Sequence, residues 1–107
     1  MAKPLQLSDK SKKIVQNRDG QRCNNCGSTF ALSWSHIVRK SRNPQLYDNP
    51  QNVVIHCMDC HHIWDNGSHQ QRVKLRTYEQ LKAKCKELDQ KSYELLIVLD
   101  KSIFYEP

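Results

Sequence analysis

Four cysteines, two histidines and one asparagine in this chain have the types and spacing to do chemistry. Cys23 and Cys26 form one Cys-x-x-Cys pair and Cys57 and Cys60 a second, with His36 and Asn52 between the pairs and His61 directly after the last cysteine. Two such pairs offer four thiolates, the donor set of a closed tetrahedral zinc site with sulfur about 2.3 Å from the ion. With every position filled by protein, such a zinc holds a fold and catalyses nothing. The rival reading, a disulfide framework or two redox motifs, lacks a thioredoxin-like strand and helix around either pair.

The elements that must position these groups can be read in order. Ser8 is a plausible N-cap and Asp9 suits a helix N-terminus, so a helix is expected from Asp9 to Asp19, stopped by Gly20. Its charged face, Lys10, Lys12, Lys13 and Arg18, either lies on DNA or is solvated. Residues 1–7, with Pro4 and little to bury, read as frayed. Gly27 permits the tight turn that aims Cys23 and Cys26 at one point. A strand is expected over Phe30 to Ile37, ending near His36; a loop follows from Val38 to Gln51. The β-branched run Asn52 to Cys57 makes an antiparallel second strand, and a helix follows from about Asp59 to Asn66 with Gly67 as its stop. Thr77 and Gln80 have capping-box spacing before a helix from Tyr78 to Leu88. Ser92 to Leu99 fits a buried helix or a strand, and the reading preferred is a helix starting near Gln90. The fold class is therefore α+β: a zinc knuckle and a two-stranded hairpin, with one helix before and helices after.

Composition bounds the rest. The 107 residues amount to one domain, with a small core that a metal staple would help to hold. Only 37% of residues are apolar and mean hydropathy is -0.80, so no membrane span is expected. The first residues have no apolar segment of a secretory signal, which points to the cytoplasm, where disulfides are rare. The net charge of +6 is concentrated in residues 1–22 and 70–107 while residues 23–69 balance, a distribution that suits a polyanion such as DNA. Cys85, on a helical stripe, reads as core. His56 reads as an outer neighbour of the metal or as exposed, His62 and His69 as surface, and Trp34 and Trp64 as packing around the knuckle.

Cys23-x-x-Cys26, Ser35-His36-Ile37, Asn52-Val53-Val54 and Cys57-x-x-Cys60-His61 together resemble the cysteine-bearing branch of the HNH endonucleases, of phage and bacterial type. The resemblance covers residues 8–67 and leaves residues 68–107 as a helical extension. It implies a ββα-metal core in which His36 is the general base that deprotonates water, Asn52 holds the loop that orients it, and His61 ligates a catalytic magnesium or manganese ion. His62 is the main rival of His61 as ligand. Ser35 departs from the pattern, since an acid or histidine commonly ligates the ion there. Asp65, one helical turn beyond His61 and on its face, is the expected replacement. Arg39, Lys40 and Arg42 follow the base and are expected to touch phosphate.

The implied activity is hydrolysis of DNA phosphodiesters. Three alternatives stand beside it: a nuclease for branched DNA, a zinc-knuckle DNA-binding protein that has lost catalysis, and an interaction protein whose C-terminal helices dock on another protein, with nuclease activity only in the complex; a homodimer is left open.

Overall fold

The computed structural model describes residues 7–104, so the expected fraying lies outside the described residues except at Leu7. The chain is α+β, with five α-helices and one two-stranded antiparallel sheet among the described residues. Helix α1 (Asp9–Asp19) starts at Ser8, whose hydroxyl accepts from the Ser11 amide at 3.2 Å, and ends at Gly20, where φ is 76°. Strand β1 (Leu32–His36) pairs with β2 (Val53–Cys57) in the register Leu32 to Cys57, Trp34 to Ile55 and His36 to Val53. The strand is shorter than the sequence suggested: Phe30 stands outside it, 83% exposed. Two 3₁₀ turns, Pro44–Leu46 and Pro50–Asn52, shape the long connection.

Helix α2 (Met58–Asn66) follows β2 without a break, with Cys57 as its N-cap. Gly67 ends it by lack of bulk and not by a left-handed backbone: its φ is -71°, and a Cβ there would lie 2.6 Å from the Ile63 carbonyl oxygen. A short helix α3 (His69–Arg72) was not expected, and it carries the chain's capping box, Ser68 with Gln71. Helices α4 (Tyr78–Leu88) and α5 (Gln90–Phe104) pack together, which resolves Ser92 to Leu99 as helix. The capping box expected at Thr77 and Gln80 does not form. The Thr77 amide and hydroxyl both donate to Asn25 Oδ1, at 3.1 and 3.3 Å.

The two faces of the hairpin serve two cores. Val53 and Ile55 bury against Val15 of α1, with Leu32 and Trp34 beside them. Val54, Ile37, Val38 and Trp64 join Leu75, Tyr78, Leu81, Cys85 and Leu96 in the larger core, so the C-terminal extension shares its interior with the hairpin. Trp34 and Trp64 thus pack in these two cores and not around the cysteines. Trp64 Nε1 donates to the carbonyls of His36 and Ile37, both at 3.2 Å. Arg18, although exposed, is engaged within the fold: it pairs with Asp19 at 2.7 Å and donates to the carbonyls of Pro50 and Val53, tying α1 to β2.

His69, expected at the surface, has a side chain only 8% exposed and donates to Asp100 Oδ1 at 2.7 Å. Tyr78 Oη donates to the same oxygen at 2.6 Å, and Lys82 Nζ to Oδ2 at 2.8 Å. Burial alone would raise the Asp100 carboxyl pKa, but the bonds from Lys82, Tyr78 and His69 outweigh it and bring it below its ordinary value. One carboxylate thereby joins α3, α4 and α5. No helix among the described residues is long and apolar enough to cross a membrane.

Candidate functional site

The metal-binding group is built by two turns meeting at one end of the hairpin. In the first, Gly27 adopts φ 78°, and the amides of Asn25 and Cys26 donate to Cys23 Sγ, each at 3.4 Å. In the second, Cys57 and Cys60 flank the first turn of α2, while the Met58 amide is fixed by the Ala31 carbonyl at 2.9 Å. The four Sγ atoms lie within 4.8 Å of one another, and Cys26 and Cys57 are 3.7 Å apart. Four sulfurs at about 2.3 Å from a tetrahedral ion are separated by about 3.8 Å, so the cluster could hold a metal such as zinc. All five cysteines are free thiols in this structure. Burial alone would raise the Cys23 thiol, but amide hydrogen bonds from Cys26, Cys57 and Asn25 bring its pKa down to about 7. The Cys60 thiol is pushed up by burial first and by Cys57 and Cys23 as well. A set of thiols that cannot all ionise together is stabilised by a central cation.

Asn25 was not singled out in the sequence. Its Nδ2 donates to Cys60 Sγ at 3.3 Å while its Oδ1 accepts the two bonds from Thr77, so one side chain couples the cluster to the start of α4. Asparagine inside a Cys-x-x-Cys turn carries no such signal, because its partners are 35 and 52 residues away.

The second site is an open depression of about 330 Å³, which brings together His36, His61, Asp65, Arg39 and Lys40. Asn52 is completely buried and holds the wall in place: its Oδ1 accepts from the Val38 amide at 2.7 Å, and its Nδ2 donates to the carbonyls of Val38 and Leu46 at 3.0 and 3.2 Å. His36 stacks on Tyr47, ring centroids 4.3 Å apart, and its Nε2 lies 2.9 Å from the Tyr47 carbonyl. A carbonyl only accepts, so Nε2 donates, and in the neutral ring Nδ1 is the nitrogen with the lone pair.

His61 is oriented in the same way from the other side. Ser33 Oγ donates to the His56 carbonyl at 3.0 Å and sits 2.7 Å from His61 Nδ1. With the hydroxyl proton committed, His61 Nδ1 donates to Ser33 and Nε2 is left with a lone pair. Burial first, then the rings of His36 and His62, lower the His61 pKa, with Asp65 opposing, so its neutral, ligating form is favoured. His62 is exposed and does not line the depression.

Other expected residues are placed less directly. Arg39 Nη2 donates to the Asp65 carbonyl and reaches its Oδ1 at 3.4 Å, so this carboxylate is shared with a cation. Lys40 Nζ lies 6.0 Å from the centre of the Tyr47 ring, and Arg42 lines an adjoining cleft. Among the described residues, the four cysteines form the one group of three or more His, Cys, Asp or Glu ligand atoms close enough to share an ion; His36, His61 and Asp65 do not form a second. Ser35 is fully buried with an unpartnered hydroxyl, away from the depression's lining. His56 is also fully buried rather than exposed, with neither ring nitrogen bonded. No protein-family model, curated protein or solved structure matches this chain.

Proposed function

We propose that this chain is a metal-dependent DNA endonuclease of the HNH type, with a structural zinc on Cys23, Cys26, Cys57 and Cys60. One observation carries the reading. His36 Nε2 lies 2.9 Å from the Tyr47 carbonyl, so the neutral ring carries its proton there and leaves the Nδ1 lone pair unused, and the residue lines a depression with Arg39, Lys40 and His61. That is the state a general base needs.

In this reading a backbone phosphate enters between Arg39 and Lys40. His36 Nδ1 takes a proton from the water that attacks phosphorus, and stacking on Tyr47 keeps the ring from turning as its charge changes. Asn52 acts one step back, by fixing the backbone around Val38 and Leu46. The donors suit magnesium or manganese only in part: His61 Nε2 is free and Asp65 is partly engaged, so water and phosphate oxygens would complete the shell. When bound, such an ion supplies positive charge to the leaving oxygen. DNA is the partner implied, and the cytoplasm of a bacterial or phage-infected cell the setting.

A second reading has its own support. Ser35 is buried and supplies no ligand, and no three-donor group forms beside His61. A DNA-binding knuckle without catalysis fits those two facts.

Cleavage of supercoiled plasmid in magnesium, manganese, nickel or EDTA, beside His36→Ala, separates the two. The nuclease reading expects ion-dependent nicking or linearisation that falls at least about 100-fold in the variant. DNA binding without cleavage under every ion selects the second reading. Activity on a four-way junction far above that on linear duplex would make the enzyme a branched-DNA nuclease.

A further inference from the structure

The depression at His36 opens into a cleft of about 150 Å³ between the end of β1 and α5, and His36, Arg39 and Asp65 line both. Arg42, Arg72 and Ser92 complete the polar lining of the cleft, in which three arginines accompany a single acid. Arg72 lies on α3, outside the residues that carried any sequence motif. Its Nε is buried without a hydrogen-bond partner, and its Nη2 makes a long bond of 3.3 Å to the Gly67 carbonyl.

No carboxylate pairs with Arg72 among the described residues; the one acid in the cleft, Asp65, is paired with Arg39. Burial first and the neighbouring Arg39 second lower the Arg72 pKa. A half-buried guanidinium next to a like charge, with an unpaired buried N–H and no counter-anion, is electrostatically incomplete. An anion entering the cleft would satisfy it, and the planar fork of arginine matches phosphate in two-point contact.

We propose that Arg72, together with Arg39 and Arg42, forms a binding site for a DNA backbone phosphate flanking the one hydrolysed at His36. The site rests on the nuclease reading and deepens it, because the substrate must then present at least two neighbouring phosphates. It also gives the C-terminal extension a share in substrate binding: α3 supplies the arginine, and Leu95 and Leu99 of α5 form the opposite wall.

The test compares the unmodified chain with Arg72→Gln and Arg72→Lys on a short DNA duplex and on thymidine 5′-p-nitrophenyl phosphate, which has a single phosphodiester. Circular dichroism melts check that both variants fold, and Arg72→Lys retains the charge should Arg72→Gln not fold. For the duplex, KM is expected to rise about tenfold in Arg72→Gln, and the slope of log affinity against log salt to fall by roughly one. Hydrolysis of the small ester stays unchanged, and Arg72→Lys recovers part of the loss.

An equal loss on both substrates would overturn the site, since Arg72 would then act through the fold or through His36. Unchanged duplex KM and salt slope would overturn it as well. Failure of the nuclease reading has a different signature: the unmodified chain hydrolyses neither substrate under any ion. Duplex affinity from fluorescence anisotropy, with the same variants and salt series, then decides Arg72 alone, and absence of duplex binding overturns both.

Discussion

The four-cysteine cluster and His36 occupy opposite ends of one short sheet: Cys57 pairs with Leu32 at one end, and His36 with Val53 at the other. At the first end, four ligand atoms converge within 4.8 Å. At the second, each side chain has one polar atom tied to the protein and another left free: His36 by Tyr47, His61 by Ser33, Asp65 by Arg39. A converged set has no vacancy for substrate, so its work is cohesion. A divergent set around an open depression is completed only by something that enters. Under the proposed nuclease reading the contrast assigns stability to one region and chemistry to the other, and it predicts that substitutions in the two will fail in different ways.

The largest effect is expected at the converged end. Cys57→Ser, or removal of metal by a strong chelator, should abolish cooperative unfolding altogether, because a structural zinc site contributes about 10 kcal/mol or more, comparable with the stability of a whole domain. Near-UV circular dichroism with metal analysis reads this out; a chelated chain with an unchanged melt would remove the assigned role. His36→Ala should do the reverse, losing cleavage while its melting temperature stays near that of the parent.

Asn52 sharpens the comparison, since it is fully buried yet belongs to the open end. Asn52→Ala leaves the Val38 amide and carbonyl without partners, while the Leu46 carbonyl keeps only the Asn49 amide, and is expected to cost about 2–4 kcal/mol in urea unfolding. Cleavage should fall at the same time, because the loop that carries Tyr47 loses its anchor. Stability loss with full activity would separate Asn52 from the site.

Asn25 is the corresponding link at the converged end. Asn25→Ala removes its bonds to Cys60 and Thr77 and should cost about 1–2 kcal/mol. Metal affinity should weaken by about tenfold or more, measured by competition with a chromophoric chelator. An unaltered affinity would leave Asn25 as a helix cap only.

The smallest effect is one of acid. Burial first and nearby His61 second, against Asp19, lower the His56 pKa to about 4 from the ordinary 6.5. The unfolded chain therefore binds the extra proton first, and the contribution is fully present above about pH 6.5 and is lost as pH falls toward about 4. Between about pH 7 and about pH 5.5 the parent should lose about 1 kcal/mol more than His56→Phe, by urea unfolding of both with metal retained. Equal slopes would mean that His56 is charged or partnered in the folded chain.

What could be read in the sequence was what neighbouring residues decide among themselves. The bounds of α1 follow from Ser8 and Gly20, and α4 runs over the residues that its apolar spacing indicated. The cysteine pairs indicated their own cluster, because a Cys-x-x-Cys turn preorganises two donors locally. The misreadings came where a distant group won. Thr77 has the spacing of a capping box, yet Asn25 takes both of its donors. His69 looks like a polar surface residue until Asp100, 31 residues on, folds over it. His56 alternates with apolar neighbours as an exposed strand residue would, but α2 and the C-terminal helices cover that face of the sheet, and it is fully buried.

The sequence by itself determined α1, the hairpin, α2 and α4, the thiol quartet and the identity of the groups between its pairs, since these depend on spacing within a turn or two; α3 and the helical state of Ser92 to Leu99 were not among them. The tertiary structure alone decided which nitrogen of His36 and of His61 stays free, that Asp65 is shared with Arg39, and that Arg72 enters the cleft beside them. Hydrogen bonds between residues far apart in the chain set the histidine and Asp65 outcomes, and packing sets that of Arg72; such pairings leave no periodic trace, because they exist only once hydrophobic burial has brought the hairpin and the C-terminal helices onto one core.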